Sequence, residues 1–409
     1  MKQASVYILI ILFLFTGFVS GQEKVEEQDP NYLVILSLDG FRWDYPTMAP
    51  TPNLDAIAAN GTKAISMIPS FPSTTFANHY TLATGLYPDH HGIVLNNFYA
   101  PDFQQYYNKR HERETVRDGK FYGGEPIWVT AEKQNMKTAT FFWVGSEADI
   151  QNVRPTYWKL YKQCLPFEQR IDTTIYWLSL PEKDRPHLVM LYFHEPDESG
   201  HNYGPESDSI KPVISHLDSL VGVLRNKLAA LPIGNKINLI IVSDHGMAQL
   251  SQEKMIILDQ KIDTSLIAIA DGWNPTLNLK AKDGMIDSLY QQIKKIEHIQ
   301  VWKHGEAPEN LHHGTNIRLH DMSLVADDGW SIYWSWEKHR AKGTHGYDPK
   351  NMDVHAIFYA EGPDIKKQYV KSSFQNIHVY PLMTYLLQLN PAPMDGKLDS
   401  IIDVTTKHQ

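Results

Sequence analysis

Five short runs of nearly uninterrupted apolar residues stand out along the 409-residue chain. Runs of this length, apolar at almost every position, are typical of strands buried on both faces, as in a parallel sheet between two layers of helices. They predict the strands of one central sheet. The runs are YLVILSL from Tyr32, ATFFWV from Ala139, HLVMLYF from His187, INLIIVS from Ile237 and VHAIFYA from Val354.

A helix is predicted between the third and fourth runs. Apolar residues recur there every three or four positions, which places them on one face of a helix. A strand, a helix and a strand in this order form a parallel crossover unit. We therefore expect an α/β fold, with a mostly parallel central sheet and helices on both faces. The apolar helical positions are Ile210, Val213, Ile214, Leu217, Leu220, Val221, Leu224 and Leu228.

Two stretches lack this clear pattern. Residues 96–185 are rich in Tyr, Trp, Arg and Lys, and we expect them to form a cap-like insertion over the sheet edge. Residues 262–342 are expected to form a second insertion, in which the role of His312 and His313 stays open. No internal repeat or low-complexity linker divides the remainder, so residues 32–409 are predicted to form a single domain.

The first residues have the pattern of an export signal. A basic Met1-Lys2 start, an apolar stretch from Val6 to Phe18 and the small residues Ser20-Gly21 predict a signal peptide over residues 1–21. Residues 22–31 then form a charged, flexible tail. A membrane anchor is the alternative, but the apolar stretch is short for a bilayer. We expect an exported protein, periplasmic or secreted, with no transmembrane anchor after signal cleavage.

Composition narrows the classes of partner. The formal net charge is -9, whereas proteins that coat nucleic acids usually present basic surfaces, so no stable nucleic-acid partner is expected. Cys164 is the only cysteine, which excludes an intrachain disulfide and a cysteine zinc site. We interpret it as an ordinary residue, and a monomer is the favoured oligomeric state.

Acidic residues and histidines follow the predicted strands. In doubly wound sheets, ligands bind beyond the carboxyl ends of the strands. A single Asp after a strand is commonly a turn or helix cap, but this set converges on one edge and would repel itself without a cation. Mixed carboxylate and imidazole ligands favour zinc, whereas Glu195 and Glu198 are expected to be supporting or solvated. The converging residues are Asp39, Asp197, His201, Asp244, His245 and His345.

A cluster of hydroxyl groups precedes a second predicted helix. Ser73, Thr74 and Thr75 lie before an apolar segment from Phe76 to Thr84, which ends at Gly85. Helix capping alone would explain these residues. A hydroxyl at a helix N-terminus also faces a region that favours anions, and beside a dication it can act as a nucleophile.

These motifs together resemble one known family. The segments LSLDGFRWDY, STTFANHYTLATGLYPDHHGIVLNN, FFWVGSEADI, RPHLVMLYFHEPDESGHNYGP, SDHGM and THGYD are similar, in this order, to the nucleotide pyrophosphatase/phosphodiesterase family of the alkaline phosphatase superfamily. The resemblance implies an alkaline-phosphatase-like fold, a phosphodiesterase catalytic domain and two zinc ions. One zinc would be bound by Asp39, Thr75, Asp244 and His245, and the other by Asp197, His201 and His345.

The resemblance also implies how a nucleotide is bound. Thr75 would be the nucleophile, and Asn96 would hydrogen-bond a phosphate oxygen. Phe76 and Tyr161 would stack on the base, with Trp143 lining the pocket and Glu147 standing where relatives often have Asp. A neutral Asn at the phosphate suits a diester, whereas Arg suits a monoester.

The reaction implied is zinc-dependent hydrolysis of nucleotide phosphodiester and pyrophosphate bonds. The substrates would be nucleoside triphosphates, dinucleotides or nucleotide sugars, and a covalent nucleotidyl-threonine would release nucleoside 5'-monophosphate. The main alternative is a choline-phospholipid phosphodiesterase of the same fold, whose aromatic pocket would hold a trimethylammonium group. A sulfatase or monoesterase, and a metal-dependent binding protein without turnover, are further alternatives.

Overall fold

The computed structural model describes residues 31–108, 114–338 and 340–406. The predicted signal peptide and almost all of the predicted flexible tail lie outside these residues. Within the part of the chain that the structure describes, none of the helices is both long enough and apolar enough to cross a membrane.

An eight-stranded sheet forms the centre of the molecule. The strands of the whole structure are β1 (Tyr32–Leu38), β2 (Thr62–Ala64), β3 (Met67–Ile68), β4 (Asn97–Ala100), β5 (Gln105–Asn108), β6 (Thr138–Phe141), β7 (Tyr157–Lys159), β8 (Leu188–Phe193), β9 (Ile237–Val242), β10 (Ala248–Gln249), β11 (Met255–Ile257), β12 (Ile267–Trp273), β13 (Thr276–Ala281), β14 (Ile299–Lys303), β15 (Met322–Ala326), β16 (Ser331–Tyr333), β17 (Gly343–Thr344), β18 (Phe358–Glu361), β19 (Tyr369–Lys371) and β20 (Phe374–Gln375).

The central sheet has the strand order β19-β2-β18-β9-β1-β8-β6-β7 and is mostly parallel, as predicted. All of the first four predicted runs contribute parallel strands. The fifth prediction was wrong in direction, because β18 pairs antiparallel with both β9 and β2. Its strand also begins only at Phe358, since the preceding Met352–Val354 forms a single helical turn.

The alternation of side chains explains why the strands are apolar throughout. Leu33 and Ile35 of β1 pack into the hydrophobic core on one face of the sheet, whereas Val34 and Leu36 pack into the core on the other face. Both cores are covered by helices, so neither side of β1 can be polar. The central strands are therefore rigid supports for the residues that follow them.

Helices cover both faces of the sheet. The predicted helix from Ile210 is present. Its apolar positions are buried, except for Val213, which is half-buried. The α-helices are α1 (Tyr45–Met48), α2 (Pro52–Asn60), α3 (Thr75–Thr84), α4 (Pro88–His91), α5 (Ile127–Lys133), α6 (Phe167–Leu178), α7 (Asp197–Tyr203), α8 (Ile210–Ala229), α9 (Ile286–Ile293) and α10 (Val379–Leu386).

The first expected insertion is shorter than residues 96–185. Strands β6 and β7 fall within this range, yet they pair in parallel at one side of the central sheet. Helix α6 packs against the same core. The antiparallel hairpin β4–β5 is the part that lies outside the central sheet. The aromatic composition of the stretch therefore reflects sheet packing as well as a cap.

Residues 262–342 contain a separate four-stranded sheet. Its strand order is β12-β13-β15-β14, and every pairing in it is antiparallel. It has its own hydrophobic core, in which Leu279, Leu289 and Leu324 are fully buried. The turn between β12 and β13 brings this second sheet next to the carboxyl ends of the central strands.

Candidate active site

Three neighbouring strands deliver the acidic residues to one place. Asp39 follows β1, Asp197 follows β8 as the first residue of α7, and Asp244 follows β9. Because β1 pairs with both β8 and β9 in parallel, their carboxyl ends meet. Gly40 permits this close approach, since it has a φ of +69° and a Cβ there would lie 2.9 Å from the Asp197 Cα.

The first cluster consists of Asp39, Asp244 and His245. All three are buried, and one ligand atom from each lies within 4.8 Å of the others. His245 Nε2 is 3.5 Å from Asp39 Oδ1 and 3.0 Å from Asp244 Oδ2. Their predicted convergence at the strand ends is therefore observed, with the geometry that a bound cation requires.

The second cluster differs in one member from the expected set. Asp197, His245 and His345 offer ligand atoms within 4.8 Å of one another, so His245 is common to both clusters. His201 lies slightly outside this group, although its Nε2 is 3.4 Å from Asp197 Oδ1. The separation follows from its position on the last turn of α7, where it is partly exposed, whereas His345 is buried.

The three histidines share one orientation. In each ring, Nδ1 lies 2.8 Å from a backbone carbonyl oxygen and donates to it, so Nε2 is the nitrogen that is directed to another ligand. This is the usual arrangement of metal-binding histidines, whose second nitrogen fixes the tautomer. The pairs are His201 with Gly343, His245 with Gly246, and His345 with Ser73.

The charges of the two clusters call for a cation. Burial lowers the pKa of His345 well below its ordinary value, and the neighbouring His245 acts in the same direction, so the ring is neutral. Burial opposes ionisation of Asp197 and Asp244, yet the adjacent imidazoles outweigh it and lower both pKa values. Asp197 Oδ1 and Asp244 Oδ2 are buried and accept no well-aligned hydrogen bond. Burial lowers the pKa of His245 and Asp244 raises it, with a net rise. Buried carboxylates that favour a positive partner, with imidazole nitrogens beside them, fit a divalent metal.

Thr75 is the first residue of α3, at the floor of the site. Its Oγ1 lies 3.3 Å from Nε2 of His245, the residue that belongs to both clusters. Thr74 is the N-cap residue, but its side chain makes no capping hydrogen bond. The predicted helix is confirmed, and it ends at Gly85, which adopts a left-handed conformation with a φ of 68°.

Asn96 is oriented by the same helix N-terminus. Its Oδ1 accepts a hydrogen bond of 2.8 Å from the backbone N–H of Phe76. Because the amide oxygen must face this donor, the nitrogen and oxygen of the side chain are distinguished, and the NH2 group remains to donate elsewhere. Asn96 also lines the cavity above Thr75.

A cavity of about 540 Å³ opens above these residues. Its lining brings together all of the residues expected to bind substrate, together with Thr75, Asp197 and His345. Phe76 contributes a small exposed fraction of 9%, whereas Tyr161 is half-buried. The substrate-binding residues on the cavity wall are Phe76, Asn96, Trp143, Glu147 and Tyr161.

Trp143 and Glu147 are both buried, and each makes hydrogen bonds that support the structure around the cavity. The Trp143 indole N–H donates to the carbonyl of His79 at 3.0 Å, so this ring supports α3. Glu147 accepts from the backbone N–H of Tyr161 at 2.9 Å and from Arg117 at 3.1 Å. Besides lining the cavity, both residues therefore hold its wall in place, a role that the sequence did not indicate.

Two further buried residues support the first cluster. His79 lies with Nδ1 3.2 Å from Asp244 Oδ2 and 3.0 Å from the carbonyl of Thr75, and its Nε2 is 2.9 Å from Ser37 Oγ. Tyr192 donates its hydroxyl to Asp39 Oδ2 at 2.5 Å. The only sequence signal for them is their position, one turn along α3 and near the end of β8.

Several other candidates lie away from the cavity. His312 stacks on Tyr87 with ring centroids 3.9 Å apart, and His313 is buried beside Ser323 and Phe71. Glu195 accepts hydrogen bonds from Ser199 and so stabilises the start of α7. Glu198, in contrast, is on the cavity lining.

The eight-stranded sheet, with acids and histidines at one edge, defines an α/β protein of the alkaline-phosphatase-like architecture. The chain belongs to the type I phosphodiesterase / nucleotide pyrophosphatase family, whose model matches residues 33–348. The resemblance seen in the sequence is therefore confirmed.

Individual relatives extend this comparison. Human ectonucleotide pyrophosphatase/phosphodiesterase family member 5 is 33% identical over 398 residues, which cover 97% of this chain and 82% of that protein. Venom phosphodiesterase CdcPDE of Crotalus durissus collilineatus is 37% identical over 391 residues, covering 92% of this chain and 46% of the relative. The chain thus spans about half the length of the venom phosphodiesterases that it matches.

A solved structure agrees closely in fold. Murine ectonucleotide pyrophosphatase/phosphodiesterase 5 has a TM-score of 0.88 and 33% identity, over 92% of this chain and 100% of that chain. Another structure of the murine protein is an inactive form with a threonine replaced by alanine, in complex with AMP, and it matches equally well.

Proposed function

We propose that this chain hydrolyses nucleotide phosphodiester and pyrophosphate bonds and releases nucleoside 5'-monophosphate. Its substrates would be nucleoside triphosphates, dinucleotides and nucleotide sugars. The observation that supports this best is the position of the Thr75 hydroxyl, 3.3 Å from His245 Nε2 at the floor of the cavity. A nucleophile at this position lies beside the carboxylates and imidazoles of the two clusters, which form the floor of the cavity, and beside its aromatic wall.

Two zinc ions are the proposed cofactors. Asp39, Asp244 and His245 would hold one together with Thr75, and the second would be held by Asp197, His201 and His345. The donor set of carboxylates and Nε2 atoms, with Nδ1 of each histidine hydrogen-bonded to the backbone, supports zinc. When bound, the ions supply positive charge that favours the alkoxide form of the hydroxyl and stabilises the oxygens of the phosphate during displacement.

The chain itself supplies the nucleophile and its alignment. Thr75 Oγ1 forms a bond to phosphorus while the bond from phosphorus to the leaving oxygen breaks, and the hydroxyl proton passes to the leaving group, which gives a nucleotidyl-threonine. Water then attacks phosphorus and breaks the bond to Thr75, which releases the monophosphate and regains the threonine proton. The Asn96 NH2 group donates to a non-bridging phosphate oxygen throughout. Two inversions leave the configuration at phosphorus unchanged.

The aromatic wall is proposed to bind the nucleoside. Phe76 adjoins the nucleophile directly, so a base stacked on its ring stands beside the reacting phosphate. Tyr161 would cover the other face, held in place by the hydrogen bond between its backbone N–H and Glu147. The murine relative in complex with AMP supports a nucleoside monophosphate as product.

We further propose that the protein acts outside the cytoplasm, as a monomer, on small-molecule nucleotides. The predicted signal peptide supports export, whether to a periplasm or to the medium. Relatives that are named as venom enzymes and as an ectonucleotide enzyme agree with it.

The direct test compares two chromogenic substrates on the mature, zinc-supplied protein. We expect kcat/KM for the nitrophenyl ester of a nucleoside 5'-monophosphate to exceed that for nitrophenyl phosphocholine by at least about tenfold, because only the nucleotide can stack. A preference for phosphocholine would favour the choline-phospholipid reaction instead. Absence of turnover with both would contradict phosphodiesterase activity.

A further inference from the structure

A second cavity adjoins the catalytic one. It has a volume of about 430 Å³ and is shaped by residues of the second sheet and of the segment that follows β16. Gly272 and Trp273, at the end of β12, and Asn274, in the turn that follows, line both cavities. The two cavities therefore adjoin at this turn, and a ligand that leaves the catalytic cavity past Trp273 would meet the second one.

The second cavity has two unusually exposed aromatic walls. Trp336 is 64% exposed and Trp273 is 50% exposed, and both line it. The chain has ten tryptophans, all among the described residues, and the other eight are buried or partly buried. Exposed indole rings on a concave surface are suited to a flat ligand, because they offer a large apolar area at small cost in conformational entropy.

Hydrogen bonds fix these walls in place. Asn274 Oδ1 accepts from the backbone N–H of Ile332 at 2.8 Å, which joins the turn to β16. Glu337 accepts from the backbone N–H of Trp334 at 2.7 Å, and the ring of Trp334 stacks on Trp336 with centroids 4.9 Å apart. The aromatic surface is therefore formed before a ligand arrives, which reduces the entropic cost of binding.

The turn lies on the side of the site that the leaving group must face. Thr344 Oγ1 donates to the carbonyl of Asn274 at 3.1 Å, so the turn is attached next to His345 of the second cluster. Thr75 is hydrogen-bonded instead to His245, the residue that both clusters share. In an in-line displacement the leaving oxygen departs opposite the attacking one, towards the cluster of Asp197 and His345.

We propose that the second cavity is a subsite for the leaving half of the substrate and that Trp273 and Trp336 stack on a second nucleoside base. The inference rests on the proposed function. It favours dinucleotides, whose leaving group ends in a base, over nucleoside triphosphates, whose leaving group is inorganic pyrophosphate.

The test measures a substrate preference. We would compare kcat/KM for a dinucleoside polyphosphate with kcat/KM for the matching nucleoside triphosphate, and we expect the ratio to fall about tenfold in Trp336→Ala and further in the double variant with Trp273→Ala. Trp336→Phe should preserve most of the ratio, because it keeps a stacking surface. Tyr176→Ala is the matched control, since Tyr176 is also 64% exposed but lies on α6 and lines neither cavity.

The outcomes separate the subsite from the proposed function. An unchanged ratio in the double variant, or equal losses with both substrates, would overturn the subsite while hydrolysis itself stands. If the unsubstituted protein turns over neither substrate, the proposed function fails.

Discussion

The two aromatic walls beside the catalytic floor differ in burial. The first wall lines the catalytic cavity, and its residues Phe76 and Trp143 are 9% and 1% exposed. The second wall lines the second cavity, and its residues Trp273 and Trp336 are 50% and 64% exposed. The first wall is part of the hydrophobic core, so a change there disturbs packing as well as binding. The second wall can change without such a cost. Under the proposed function, we therefore expect the floor and first wall to set the reaction and the second wall to set the preferred leaving group.

Removal of metal should have the largest effect, because it acts on the floor beneath both walls. Dialysis against a chelator should abolish turnover of every substrate, whichever wall it contacts, and added zinc should restore it. Metal analysis of the restored protein should give two zinc ions per chain. Full activity in the metal-free protein would contradict the proposed role of both clusters.

Loss of the nucleophile should be nearly as severe. We expect Thr75→Ala to lower kcat by about ten-thousandfold for all substrates, while nucleotide binding persists, because the first wall is retained. Thr74→Ala is the matched control, since the Thr74 hydroxyl is one residue away and has no hydrogen-bond partner among the described residues. Steady-state kinetics and equilibrium binding measure the two effects. Comparable losses in both variants would point to damage at the start of α3 rather than to chemistry.

Asn96→Asp should give an intermediate effect on the floor. The carboxylate can still accept from the Phe76 N–H, so the local fold is kept, but the donor to the phosphate is lost and a negative charge is added. We expect kcat/KM for diesters to fall about a hundredfold. Asn96→Ser, which retains a small donor, should lose less, and equal activity of the original and Asp forms would exclude this contact.

The smallest effect is expected for a substitution in the first aromatic wall. Phe76→Leu should raise KM for nucleotides by about five- to a hundredfold, because a flat ring that stacks on the base is replaced by an aliphatic side chain. The loss should be similar for a triphosphate and for a dinucleotide, in contrast to Trp336→Ala, which should affect the dinucleotide selectively. If both variants changed the same ratio, the two walls would not have separate roles.

Much of this arrangement could be read from the sequence, because it depends on local patterns. The central strands are apolar at nearly every position, and Asp39, Asp197 and Asp244 each follow the end of one of them within about one helical turn of sequence. In a parallel sheet the ends of adjacent strands coincide, so their convergence needed no knowledge of distant contacts. The helix starting at Thr75 was equally visible from its apolar residues and the terminal Gly85.

The features that were missed depend on long-range packing. The reversed direction of β18 and the entry of β7 into the central sheet follow from pairing with other segments of the chain. Trp273 reaches the cavity only because the second sheet is attached beside His345. The sharing of His245 between the clusters is a matter of a few ångströms, which no spacing of residues can specify.

The central claim is that Thr75 forms a covalent bond to phosphorus. It is tested most directly by hydrolysing a nucleotide diester that is chiral at phosphorus, with isotopically labelled water, and determining the configuration of the monophosphate. Two successive in-line displacements predict overall retention of configuration. Inversion would show that water attacks the substrate directly, and it would contradict the nucleotidyl-threonine intermediate.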